Sequence, residues 1–511
     1  MEEKKIDINS IIGFILIFGI LVWIMYQNQP DPKVVAAEKA QKELVLKAQK
    51  AKELANKAVE KATVAVATGD STQLVALQKT LGNFAYSATL PSAKNDFTTI
   101  ENEVIKLKIA NKGGYIAEAT LKNFEKFKKG SGQLVELIKN NNANLNIVLQ
   151  TNDNRTLNTK DLFFEPTLTK IGADQVLSMK LKSGPNSFLE YKYIVKPNDY
   201  MIGFDVRSQG LNQVLNTAKP LDLEWDLKAF RNEKSISYEN KYTEIYFEHK
   251  EGKVDYAGLG AKEEETLEKP TFIAFKQHFF TSILVSKTPF EKAQLVSTNL
   301  MNDEKVDTTF TKSFKANLPL AFTNGELDYK LNWYLGPSDY KTLASYDQNL
   351  EKIITLGWGI IGWINRFIFV PLFGFLGSYI DYGIAIILFT ILIKLAMSPI
   401  TFKSFLSQAK MKVLRPEIAE LGEKFKKDPM KKQQETMKLY NKAGVNPMAG
   451  CIPALIQMPF LMASFQFFPS AFELRQQKFL WADDLSSFDE IVKLPFHIPL
   501  YGDHISLFPI L

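Results

Sequence analysis

Cysteine is almost missing: Cys451 is the single one among 511 residues. One thiol closes no internal disulfide, so covalent stapling is excluded in any compartment. Four histidines, His249, His278, His497 and His504, show no metal-ligand spacing. There is no P-loop, no GxSxG, no GxGxxG ahead of a helix and no HExxH. These absences leave no local sign of an enzyme and none of a metal or cofactor. No internal repeat of the kind that builds many transporters is visible. Uniform apolarity is missing too. The mean hydropathy is −0.11, too polar for a chain that lies in membrane throughout. With 46% hydrophobic residues the chain still has material for a large core, so a mixture of membrane segments and a soluble region is expected.

Long apolar runs are few, and they sit at the two ends. Ile11 to Tyr26 (IIGFILIFGILVWIMY) has no small-residue cleavage site after it. It reads as an uncleaved anchor, with a removed signal peptide as the alternative. Three more runs follow late: Leu356–Ile380, Tyr382–Ile400 and Gly450–Phe468. Between the last two, residues 401–449 hold eleven Lys/Arg against five Asp/Glu, a net +6 that equals the excess of the whole chain. A short loop so rich in basic residues belongs in the cytoplasm. Parity then sets the topology. If Ile11–Tyr26 spans from a cytoplasmic N-terminus, one further span must return the chain before Thr401. Tyr382–Ile400 is that span, and Leu356–Ile380 lies on the outer membrane surface. Gly357, Gly359, Gly362, Pro371, Gly374 and Gly377 interrupt it, and Trp358 and Trp363 suit an interface.

The soluble part divides in two. Lys33–Ala67 is built from strong helix formers and reads as a solvated spacer helix. From about Leu90 to Tyr334 the period changes to two. Turn residues at Pro197-Asn198-Asp199 and Glu251-Gly252-Lys253 each separate two alternating runs. Many short strands predict a β-sandwich large enough to bury its own core. Tyr340–Ile354 is expected to be an amphipathic helix leading back to the membrane. The fold class is therefore α+β: a membrane anchor, a large β-sandwich, and a helical membrane core with a helical hairpin. The expected division is an anchor over 1–29, a helical spacer over 30–88, the sandwich over 89–335, a linker helix and interfacial helix over 336–380, a spanning helix over 381–400, the hairpin over 401–449, a second spanning helix over 450–469, an outer loop over 470–506 and the start of another span over 507–511.

Lys394 stands among Ile391, Leu392, Ile393, Leu395 and Met397. An ammonium in hydrocarbon costs at least ~3 kcal/mol and by default marks a functional site. Thr390, Lys394 and Ser398 recur at i, i+4, i+8, one polar stripe on an apolar cylinder. Taken alone, Lys394 could equally snorkel to the interface over the ~9 Å of rise that follows it. The second helix tips the balance. Gln457 and Ser464 share a face, and Pro453 and Pro459 free backbone carbonyls that need protein or a wet cavity as partner. Together they predict a hydrated, positively charged pocket open to the cytoplasm. In the hairpin, Asp428 is an expected N-cap with Pro429 at N1, Pro416 should bend the first arm, and Gly444 closes the second. Its basic residues, Arg415, Lys424, Lys426 and Lys431 among them, suit anionic lipid, ribosomal RNA, or both.

NPMAGCIPALIQMPF, Asn446 to Phe460, resembles the signature of the YidC family of bacterial membrane protein insertases, in the Oxa-type superfamily. FELRQQKFLWADDLS, NKGGYIAEATLKNF, FKQHFF and LGWGIIGWINRFIFVPLF agree with it. The resemblance implies a periplasmic β-supersandwich similar to sugar-epimerase folds and a multi-pass core in the bacterial inner membrane around a hydrophilic groove. It implies nascent membrane proteins, the ribosome, the Sec translocon (SecYEG with SecDF) and the lipid bilayer as partners, with no DNA and no cofactor. The groove's basic residue is usually arginine in the family, and Lys394 holds that place here. A lysine keeps the charge and loses the planar fork. Gln457 matches the groove glutamine. The expected face along which a substrate helix leaves is Leu455, Met458, Phe460 and Met462. The family continues for three more spans, so the chain is expected to be truncated after Leu511, with one groove wall missing. A transporter, a sugar enzyme and a translocon accessory are the rival readings.

Overall fold

The computed structural model describes residues 71–249, 252–426, 428–444, 452–489, 492–498 and 502–507. The anchor Ile11–Tyr26, the spacer Lys33–Ala67, Cys451 with the preceding Asn446–Gly450, and the last four residues lie outside them. The chain forms two compact units, Met1–Lys79 and Thr80–Leu511. All that follows concerns the second.

Two antiparallel sheets make the sandwich. The nine-stranded sheet runs, in spatial order, Lys253–Ala257, Glu244–His249, Phe272–Lys276, Phe280–Ser286, Asp328–Pro337, Met201–Gln209, Phe188–Val195, Asp174–Lys182 and Glu165–Ile171. The six-stranded sheet runs Lys262–Glu268, Lys292–Asn299, Phe310–Leu320, Leu221–Phe230, Ala143–Gln150 and Thr156–Asn158. A four-stranded sheet, Phe97–Glu101 to Leu134–Ile138, stands beside them. Both expected hairpins form, with Ile202 opposite Val195 and Ile245 opposite Ala257. Alternation drives the closure. In Leu221–Phe230 the residues Leu221, Leu223, Trp225 and Leu227 point inward and are buried, while the residues between them are more exposed. Trp225 stacks on Phe275 of the facing sheet at 3.9 Å between ring centres, and its edge meets Trp333 at 5.4 Å.

Two strands break the alternation. FIAFK (Phe272–Lys276) and FTSILVS (Phe280–Ser286) are buried on both faces. Their inner residues, Phe275 and Leu284, join the sandwich core. Their outer residues, Phe272, Ala274, Ile283 and Val285, join a second cluster with Leu343, Ile353, Phe369, Phe373, Phe389 and Phe467. The outer face of the nine-stranded sheet is thus the seat of the helical region.

The helical region has five parts: α1 (Gly359–Gly377), α2 (Tyr382–Val413), α3 (Arg415–Lys424), α4 (Pro429–Lys442) and α5 (Ile452–Ser470). The stretch before them corrects one expectation. Instead of a helix over Tyr340–Ile354 there is one turn, Tyr340–Ala344, then a 3-10 turn, Leu350–Ile353. Asp347 and Asn349 take left-handed φ of 54° and 58° and end the run. α1 contains a π-turn over Asn365–Phe369, where Pro371 removes a ladder donor. α2 does not stop at Ile400 but continues to Val413 through Pro399. The break comes at Leu414, and Pro416 sits in the first turn of α3 rather than inside an arm, where its missing N–H costs nothing. Asp428 caps α4: its side chain accepts from Lys431 N–H at 3.0 Å, with Pro429 following. The stretch after α5 also carries a small hairpin, Val492–Ile498 with Gly502–Ile505.

Candidate functional site

α2 and α5 run antiparallel. Phe389 stacks on Phe467 at 6.2 Å, and Tyr382 at the head of α2 shares a cavity wall with Phe472 and Glu473 just past the end of α5. The packed face of α2 is Ala385, Phe389 and Met397, with Ile386 and Ile393 partly buried; that of α5 is Ala463 and Phe467. Leu388, Ile391, Leu392 and Leu395 stay exposed.

Thr390, Lys394 and Ser398 each follow a packed position by one residue, so they turn ~100° out of the seam and are exposed. Counting down the helices from the Phe389–Phe467 pair, Ser464 lies ~4.5 Å below it, Lys394 ~7.5 Å and Gln457 ~15 Å. The lysine therefore sits between the two polar residues of α5 in depth. Thr390 donates its hydroxyl to Ile386 O at 2.8 Å, and Ser464 donates to Phe460 O at 2.9 Å. Those two hydroxyls are satisfied within their own helices. Among the described residues Lys394 Nζ has no hydrogen-bond or ion-pair partner. Gln457 is exposed. Leu455, Met458 and Met462 form one exposed apolar face of α5, whereas Phe460 leans into the packed cluster. Arg415 and Lys424 fall on α3 and Lys431 on α4, arms that bury no residue, and Lys426 falls in the turn between them.

Sequence reasoning missed what holds the C-terminal end of α5. Arg475, five residues beyond that helix, is buried against the sandwich. Its Nε donates to Glu233 Oε1 at 2.8 Å, and its Nη2 donates to Glu125 O at 2.7 Å. The two charged side chains are 3% and 9% exposed. Gln476, held at a left-handed φ of 58°, donates to the same Glu125 carbonyl at 2.8 Å. Phe472 meets Phe124 edge-on at 5.4 Å and Phe280 at 6.0 Å. His278 Nε2 lies 2.8 Å from Pro469 O, an end carbonyl of α5 with no intrahelical donor to serve it. The signals were present in FELRQ and FKQHFF, but a lone arginine and a lone histidine carry no spacing that would reveal each other.

Burial pushes the Glu233 carboxyl up, and Arg475 opposes that shift. Its neighbour Glu239 is pushed up to about 8, by burial first and then by the Glu233 charge, although the N–H groups of Asn232 and Glu233 donate to it. The folded state therefore holds the Glu239 proton more tightly than the unfolded chain. The contribution of Glu239 to stability is full below about 4.5 and is lost as pH rises toward about 8. Glu239→Gln should flatten that decline, read by denaturant unfolding of the full-length protein in detergent across this range. An unchanged slope would remove Glu239 as its source.

A family model described as 60Kd inner membrane protein matches residues 373–511, and one described as YidC periplasmic domain matches residues 98–371. A membrane protein insertase YidC from Parabacteroides distasonis is 35% identical over 528 residues, covering 99% of this chain and 81% of the relative. One from Porphyromonas gingivalis is 34% identical, covering 99% and 82%. Among solved structures, an active YidC insertase with its first transmembrane domain resolved matches at 16% identity and TM-score 0.29, covering 78% of this chain and 77% of that one. The periplasmic domain of Thermotoga maritima YidC matches at 9% identity and TM-score 0.28, covering 51% and 96%.

Proposed function

The chain belongs to the YidC family of membrane protein insertases, and from that premise we propose how it works and which residues do the work. It is a membrane protein with a periplasmic β-sandwich; its substrates are nascent membrane proteins and its medium is the lipid bilayer. The side of α2 and α5 that carries Thr390, Lys394, Ser398, Gln457 and Ser464 is the wall of a hydrated groove that opens to the cytoplasm. The observation that carries this reading is Lys394: an ammonium on an apolar helix, beside the seam with α5, without a protein partner among the described residues. Such a charge is tolerable at membrane depth where water reaches it.

The groove shortens the apolar distance that a polar segment must cross. A hydrophilic tail, an acidic one above all, enters from the cytoplasm and is drawn toward Lys394. The attached apolar helix leaves into lipid past Leu455, Met458 and Met462, driven by its own partitioning at ~25 cal/mol per Å². Phe460 supports this face from the packed side. α1 lies on the outer surface and α3–α4 in the cytoplasm, where Arg415, Lys424, Lys426 and Lys431 meet the ribosome or anionic lipid. The protein is multi-pass in the inner membrane and works alone or beside the Sec translocon.

A photoreactive residue at Gln457 tests the groove, with a ribosome-stalled small membrane protein as substrate. Crosslinks that shift along the nascent chain as it lengthens are expected. Crosslinks confined to lipid or to the protein's own helices would make Lys394 and Gln457 structural and favour a translocon accessory.

A further inference from the structure

A cavity of about 530 Å³ opens where the sandwich meets the outer end of α5. That size lies in the ~300–1,000 Å³ range of ligand sites. One wall is Phe468 and Pro469, in the last turn of α5. The opposite wall is sandwich: Ser237, Tyr238, Lys241 and His278. We propose that this cavity receives the extended hydrophilic segment of a substrate that has just crossed the membrane.

Three observations carry the assignment. The first is position: the cavity sits at the periplasmic end of the helix whose other turns hold Gln457 and Ser464, so a polypeptide leaving the groove reaches it next. The second is a buried acceptor, unpartnered among the described residues, on a side chain that lines the cavity. His278 is 5% exposed, and because its Nε2 faces the Pro469 carbonyl, Nε2 carries the proton and donates. Its Nδ1 is then a lone-pair acceptor, buried and without a partner among the described residues. Burial holds the ring neutral by pushing its pKa down to about 3, so Nδ1 keeps its lone pair at any physiological pH. A buried acceptor left unmade costs ~1–3 kcal/mol, and a peptide N–H or side-chain amide supplies the missing donor. The third is the mixed lining. Aromatic and aliphatic surface alternates with hydroxyls, the Lys241 ammonium and the Glu233 and Glu304 carboxylates, which suits a chain of varied side chains better than a uniformly apolar one.

The proposal rests on the insertase reading, and its test keeps the two separable. Photoreactive residues are placed singly at Lys241, at Gln457 and, as control, at Leu168, exposed on the far edge strand of the nine-stranded sheet. The full chain in membranes receives ribosome-bound substrates of increasing length. Crosslinks from position 241 should exceed those from position 168 and appear at longer nascent chains than those from position 457. Ser237→Trp, which fills the cavity from its rim, should remove the position 241 crosslinks and leave those at 457. Yields at 241 no higher than at 168, while 457 reacts, overturn the proposal, as does indifference to Ser237→Trp. Crosslinks at 241 without any at 457 would uphold the cavity and sink the groove; silence at both sinks both.

Discussion

Arg475→Leu should destabilise the folded protein by about 3–5 kcal/mol, the cost of leaving one member of a buried ion pair unmatched. Glu233 would stay behind, 9% exposed, its carboxyl without a counter-charge and beside the second carboxyl of Glu239. The Glu125 carbonyl would keep only Gln476 as side-chain donor. The companion change separates contact from desolvation. Arg475→Leu with Glu233→Gln should recover most of the loss, since replacing a buried pair by neutral groups is often tolerated. Arg475→Lys should recover little, because one ammonium cannot reach Glu233 Oε1 and Glu125 O in the planar arrangement of the guanidinium. Glu233→Gln alone completes the cycle, read by unfolding of the unsubstituted protein, both single variants and the double variant in detergent. A double-variant loss equal to the sum of the two single losses would mean that the ion pair contributes no coupling. The same substitution bears on function, because Arg475 follows α5 by five residues and anchors its C-terminal end.

The second large effect is on activity. Lys394→Glu should abolish insertion of substrates with acidic tails, Lys394→Ala should slow it, and Lys394→Arg should leave it near normal. At ~7 Å and an effective dielectric near 20, one unit charge attracts another by about 2 kcal/mol, roughly a 30-fold effect, and reversal repels by as much. The sign of the tail should therefore matter. Substrates with neutral tails should lose less on Lys394→Glu than acidic ones, and basic tails least. Insertion rates of three tail variants of one single-span substrate in proteoliposomes decide it. If all three respond alike, the charge at position 394 is not the active element, and hydration of the groove alone would explain its presence.

Different parts of the molecule were legible to different degrees. The strand pairs around Pro197-Asn198-Asp199 and Glu251-Gly252-Lys253 follow from period-two alternation, a signal each strand carries by itself. The Asp428 cap and the Gly444 stop follow from local backbone chemistry. The helix expected over Tyr340–Ile354 failed because its apolar spacing was real while its backbone was not free to follow it. Asp347 and Asn349 turn left-handed there, and Leu343, Leu350 and Ile353 are buried in the cluster on the outer sheet face. Polarity changes at Ile400, yet α2 continues past it: a change of polarity ends no helix, and Pro399 omits one ladder hydrogen bond without stopping it.

What the sequence determined by itself was therefore whatever depends on neighbours a few residues apart: the sandwich class, the basic hairpin, the apolar helices and the stripe that carries Lys394. Such features need only a period and a local partner. Tertiary structure alone decided the rest. Glu233 and Arg475 are separated by 242 residues and meet at 2.8 Å; His278 and Pro469 are separated by 191. No spacing rule links residues so far apart. They meet because Phe272–Lys276 and Phe280–Ser286 bury both faces, and the outer one must be covered by the helices that follow.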